Sequence, residues 1–224
     1  MKPFSSRLAR LALLSCFSLP ALAADDLDLS QVRKIVFVGD GSAIELSTDA
    51  GRPYRLQQER SWPFRDYCQV TQSLSQNVLT LGVKVNGSYP LSHCKITFRA
   101  NLPASRQVEI LQGANSVDAQ GLYDRFTLNS GASQIKFRGG ANLLTLKGSA
   151  LKADARLTGA QPRGKVVVDG RLASVYLAIE RRAAVDYLLQ GAMSSFDRGW
   201  RNQPGAPLRV EVNGEYIQAT LAYL

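Results

Sequence analysis

The sequence is poor in the residues that metal binding and most hydrolytic chemistry depend on. It has one histidine, His93, and three cysteines in 224 residues. A lone histidine next to Cys94 does not make the base of a histidine-dependent triad. A zinc site takes about four ligands, and Cys68, His93 and Cys94 offer too few locally. No cofactor or metal is expected. Acidic residues are the minority, 18 against 27 basic. No apolar run reaches the roughly 20 residues that span a bilayer. Gly39-Asp40-Gly41 lacks the third glycine and the lysine of a phosphate loop, and reads as a turn. The Gly-Gly-x-Gly-x-Asp pattern of calcium-binding rolls is missing. Thr127 and Thr145 are too few for an ice-binding threonine ladder.

The chain begins with an export pattern. Lys2, Arg7 and Arg10 precede an apolar run from Leu11 to Leu22, then Ala21-Leu22-Ala23 and Asp25-Asp26. This is the three-part layout of a secretory signal, cleaved after residue 23. A lipoprotein reading at Leu13-Leu14-Ser15-Cys16 leaves too short an apolar core and an unused Ala-x-Ala site. Removing 1–23 takes three of the 27 basic residues, so the net charge of +9 becomes +6. Residues 24–224 suffice for one domain with a core. The periplasm, the cell surface or the medium is the expected location. The excess positive charge serves solubility or attraction to an anionic glycan or another envelope component. Cys68 and Cys94 then remain as an even pair, expected to form a disulfide in an oxidising compartment. No transmembrane segment is expected in the mature chain.

From residue 108 an apolar-x-apolar unit recurs every nine residues. Its first positions are Val108, Val117, Phe126, Ile135, Leu144 and Ala153. Its second positions are Ile110, Ala119, Leu128, Phe137, Leu146 and Ala155. Polar residues stand between them, and period-two alternation marks strands. Gly113, Gly121, Gly131, Gly139-Gly140 and Gly148 suit corners. The lattice slips at Gln161-Pro162-Arg163-Gly164 and resumes at Val166/Val168 and Val175/Leu177, with a looser unit at Val185/Tyr187. Ile35/Phe37 and Ile44/Leu46 carry the same spacing. No 3.6-residue periodicity competes. The expected fold is an all-β β-solenoid, with an antiparallel sandwich as the alternative. The spacing leaves open whether a rung holds two units or three.

The expected organisation of the mature domain has three parts. Residues 24–102 form N-terminal strands and a cap with the disulfide; strands are expected at 53–59, 77–85 and 94–100. Residues 103–200 are the repeat region. Residues 201–224 form a C-terminal hairpin, because Asn213-Gly214 suits a type I′ turn.

This layout resembles the bacterial putative adhesin families, including the auto-transporter adhesin head (GIN) domain. The matching features are Gly41-x-x-Ile44-x-Leu46, the strand entering Leu102-Pro103, and the glycine-punctuated units from Val108. The resemblance covers most of 33–190. It implies a right-handed β-helix on the envelope or exported, and it carries no catalytic residues. The Cys68–Cys94 pair and the stretch around Trp62 lie outside it.

Three functions follow as expectations. The first is an exported, non-catalytic, adhesin-like binding module. The alternative is a polysaccharide-active lyase or hydrolase, for which Asp118, Asp124 and Asp154 with Arg125 and Lys136 are the candidate acids and bases. The third is a structural periplasmic protein without a ligand. A candidate binding loop is Arg60, Trp62, Phe64, Arg65 and Tyr67, since aromatics and arginines anchor interfaces. The same aromatics could instead plug one end of the stack. Nucleic acid is not an expected partner. Residues 125–171 hold nine basic and two acidic residues, but these alternate with apolar residues, and export removes the usual partners.

Overall fold

The computed structural model describes residues 27–60, 68–87, 94–158, 163–180, 183–196 and 201–224; within 192–196 it describes the backbone alone. The export segment lies outside the described residues. The described chain is all β, with ten strands and no helix. These are β1 (Leu27–Asp28), β2 (Lys34–Ser47), β3 (Arg55–Arg60), β4 (Cys68–Ser75), β5 (Val78–Val85), β6 (Ile96–Asn101), β7 (Arg106–Leu157), β8 (Gly164–Ile179), β9 (Val185–Phe196) and β10 (Leu208–Tyr223). They form one sheet with the order β1-β3-β6-β2-β7-β8-β10-β9, while β5 pairs with both β2 and β4.

Pairing between successive long strands is parallel. Ile35 and Ile44 of β2 oppose Val108 and Val117 of β7. Leu144 and Ala153 of β7 oppose Val166 and Val175 of β8. Antiparallel pairs are confined to β1–β3, β3–β6 and β4–β5. The β4–β5 turn uses Gln76 and Asn77, both with positive φ, as a tight hairpin requires.

β7 runs for 52 residues. Straight, it would extend about 170 Å at 3.3 Å per residue. Instead it passes beside itself every 18 residues, and the glycines record the contact. A Cβ on Gly131 would stand 2.8 Å from the carbonyl oxygen of Gly113, and one on Gly148 would stand 3.0 Å from that of Ser130. At Gly139 the approach is tighter, 1.9 Å from the Gly121 oxygen, and φ is +136°. Only glycine meets both conditions there.

The period-two pattern decides what is buried. All twelve lattice positions from Val108 to Ala155 are at most 3% exposed. They join Ile35, Phe37, Ile44 and Leu46 at one end and Val166, Val168, Val175 and Leu177 at the other in one continuous core. Tyr123, Phe126 and Phe137 pack as an aromatic trio with centroids 5.4 to 5.9 Å apart. Burial holds the Tyr123 phenol well above its ordinary range, and the nearby Asp118 charge adds to this.

The C-terminal hairpin does not form. β10 pairs in parallel with β8 on both sides of Gly214, from Leu208↔Gly164 to Tyr223↔Ile179. Its other edge pairs in parallel with β9. A Cβ on Gly214 would stand 1.8 Å from the Gly170 oxygen. Close passage of a neighbouring backbone, not a reversal of direction, requires the glycine of Asn213-Gly214.

Candidate functional site

The disulfide is formed. Cys68 at the start of β4 and Cys94 just before β6 have Cα atoms 5.7 Å apart at a sequence separation of 26. It ties the β4–β5 hairpin to the strand that enters β6. Of the candidate binding loop, Arg60 is the exposed last residue of β3, opposite Ile96. Trp62, Phe64, Arg65 and Tyr67 lie outside the described residues, as does His93.

The candidate catalytic acids do not converge. The 18-residue return of β7 puts Asp118, Lys136 and Asp154 on one outward ladder. The ion pairs, however, are made with other residues. Asp118 is 3.6 Å from Arg138, and Asp154 is 3.2 Å from Arg156. Both carboxylates keep a third to a half of their side-chain surface exposed. Asp124 lies elsewhere. It accepts hydrogen bonds from Asn142 Nδ2 at 3.0 Å and Gln107 Nε2 at 3.1 Å. These bonds, with the Arg125 charge, hold its carboxyl below the ordinary value. Among the described residues no group of three or more metal-ligating side chains occurs.

A second outward ladder joins Glu45, Arg99 and Glu59 across β2, β6 and β3. Glu45 and Arg99 of this ladder, with Asp118 and Arg138, border a polar cleft that also contains Arg52, Arg55 and Asn101. Asn101 organises the chain there. Its Oδ1 accepts from Ser47 Oγ at 2.8 Å and from the Asp49 amide at 2.9 Å. Its Nδ2 donates to the carbonyls of Asp49, Arg52 and Pro53. These bonds pin the 48–54 connection, so Asn101 has a structural role.

A further concave feature was not legible from the sequence pattern. A trough of about 990 Å³ crosses the sheet from Cys94–Thr97 over β2 (41–43) and three passes of β7 (114–116, 132–133 and 150–152) to β8 (172–174). Small residues make its floor. Gly41 opposes Ala114 in register, and Ala150 opposes Leu172. Ala114, Ala132 and Ala150 recur at 18 residues, just after the corner glycines. That spacing of alanines was the available signal.

The inward-pointing column beside the alanines changes character along the trough. It is polar at Ser42, Asn115 and Ser133, and apolar at Leu151 and Ala173. Ser42 Oγ donates to Gln112 Oε1 at 3.1 Å, and Asn115 Nδ2 donates to Ser130 Oγ at 3.1 Å. Asn115 Oδ1 and Ser133 Oγ are buried and have no hydrogen-bond partner. Among the described residues, Lys95 and Lys152 are the charged members of the lining. At the apolar end Leu172 is 50% exposed, and its register partner Tyr216 is 71% exposed.

The fold thus defines a class: an all-β protein whose long strands pair in parallel around a continuous apolar core. No family model and no curated protein matches the chain. Solved structures do. A Clostridium sporogenes protein named for cell adhesion superposes with a TM-score of 0.52 at 12% identity, over 89% of this chain and 97% of that one. Lower scores belong to a Parabacteroides distasonis protein named for lipid binding (0.41, 13% identity, 89% and 95% covered) and a Bacteroides fragilis protein named as an adhesin (0.39, 16%, 89% and 95%). At such identity the first match shows a common fold and leaves function open.

Proposed function

We propose that the protein is an exported, non-catalytic binding module of the bacterial envelope or cell surface. In this reading residues 1–23 are a cleaved signal and 24–224 form a single β-solenoid domain with two nine-residue units per rung. Three observations support the solenoid. They are the parallel registers, the 18-residue returns of β7 and the buried lattice. The disulfide suits an oxidising compartment.

The observation that carries the binding reading is the trough. It is an open, largely apolar concavity on an otherwise charge-laddered surface. Sites for small ligands are concave and mostly apolar, with a few polar groups to orient the occupant. The candidate acids Asp118, Asp124 and Asp154 are each engaged by a neighbour, which favours binding over turnover.

The test is cell fractionation combined with co-sedimentation of the purified protein with envelope fragments. The reading expects a processed, disulfide-bonded protein outside the cytoplasm that sediments with envelopes saturably. Cytoplasmic protein retaining residues 1–23, or turnover of an acidic polysaccharide by the pure protein, would overturn it.

A further inference from the structure

The trough has a direction, and that direction points to a class of ligand. Across it the strand order is β6, β2, three passes of β7, then β8. Six neighbouring strands span five spacings, about 24 Å at 4.7–4.9 Å each. One end has Lys95, with Ser42, Asn115 and Ser133 in the floor. The other has Ala150, Leu151, Leu172 and Ala173, with Lys152 and Ser174 beside them. Lys95 is exposed, whereas the unpartnered Oγ of Ser133 and Oδ1 of Asn115 are turned inward and have no accessible surface. Among the described residues the lining holds two lysines and no carboxylate.

An occupant that fits this lining is long, apolar along most of its length, and acidic. We propose that the trough binds one acyl chain of an anionic amphiphile. The tail lies over Ala150 and Leu172 and reaches toward Tyr216. The acidic head meets Lys95, and Lys152, beside Ala150 and Leu151, adds positive charge farther along. This rests on the binding reading above and names the ligand class for that site.

The probe is cis-parinarate, a fluorescent fatty acid, compared with its uncharged methyl ester. Purified protein should enhance parinarate fluorescence saturably, at one probe per chain, and bind the ester at least tenfold more weakly. Ala150→Asp places a like charge on the apolar floor at an exposed position. It should weaken parinarate binding at least tenfold while circular dichroism stays unchanged. Ala132→Asp is the second variant should the first fail to fold. Lys95→Ala should bring the acid and the ester closer together. Absence of saturable binding, equal affinity for acid and ester, or indifference to Ala150→Asp would overturn the proposal. So would a dimer that Ala150→Asp dissociates, because a second copy would then fill the trough. Envelope co-sedimentation is run in parallel. If wild type sediments with envelopes but ignores parinarate, only this proposal fails. If wild type sediments with nothing, the binding reading fails as well.

Discussion

At the scale of single residues, backbone proximity constrains the chain as firmly as burial does. Gly139 combines positive φ with a carbonyl 1.9 Å from the position a Cβ would take. Gly205 also has positive φ, +80°, but nothing lies within 4 Å. Gly139→Ala should cost at least about 2 kcal/mol, because the neighbouring pass of β7 must move. Gly205→Ala should cost only about 1 kcal/mol. Melting temperatures check the contrast: at this size a loss of 2 kcal/mol corresponds to roughly 4–8 °C. Equal losses would mean that φ alone governs both sites. Asp124 gives a prediction of a different kind. Hydrogen bonds from Asn142 and Gln107 favour its ionised form, so its folded pKa lies below the ordinary 3.8. The stability this adds is complete above 3.8 and is lost as pH falls through the lower folded value. A carboxyl NMR titration should place its midpoint below 3.8, and Asn142→Ala should raise it. An unchanged midpoint would remove Asn142 as the cause.

At the scale of elements, some features were plain in the sequence and others were masked by ambiguous signals. Period-two alternation identified the buried faces from Val108 to Leu177, because alternation and burial are one fact for a strand with a single core face. β5 and β6 were legible from their β-branched and apolar runs, while the strand expected at 53–59 overlaps β3, whose sequence is polar apart from Leu56. β4 was not, since Cys68–Ser75 is mostly polar and largely exposed and is held by pairing with β5. Asn213-Gly214 misled because glycine answers two different needs: a tight reversal, and the close passage of a neighbouring backbone. Sequence alone does not separate them. The trough escaped for a related reason. Gly41, Ala114, Ala132, Ala150 and Leu172 become neighbours only through register. The disulfide is the element-scale cross-link. It closes 26 residues of sequence separation around a hairpin whose outer strand, β4, buries little. Replacing both cysteines with serine should cost about 3–4 kcal/mol in the chain-entropy account. Hydrogen exchange in β4 and the nearer half of β5 should accelerate most. Uniform acceleration across β8 and β10 would show that the bond supports the whole stack rather than its own hairpin.

At the scale of the whole molecule, the proposed solenoid makes a demand that a sandwich does not. In a stack each rung contacts only its neighbours, so stability is close to a sum of rung and interface terms. One more rung of the right length should then fit without changing the contacts of the rest. The segment 140–157 is such a unit. It contains one 18-residue return, with inward Leu144, Leu146, Ala153 and Ala155, all at most 3% exposed. It also contributes Ala150 to the trough. Duplicating it in tandem should give a soluble protein with added β signal and a melting temperature within roughly 5 °C of the original, a change of one or two kcal/mol. The trough should lengthen by one strand spacing, about 4.8 Å. A closed sandwich has a fixed strand complement, and an extra pair of units would leave apolar faces uncovered, so the same duplication would yield aggregated protein. The experiment also bears on function. If the amphiphile's tail lies along the ladder from Ala150 to Leu172, the added alanine extends the apolar floor without touching Lys95. Affinity for longer acyl chains should rise relative to shorter ones, while the preference for acid over ester stays the same.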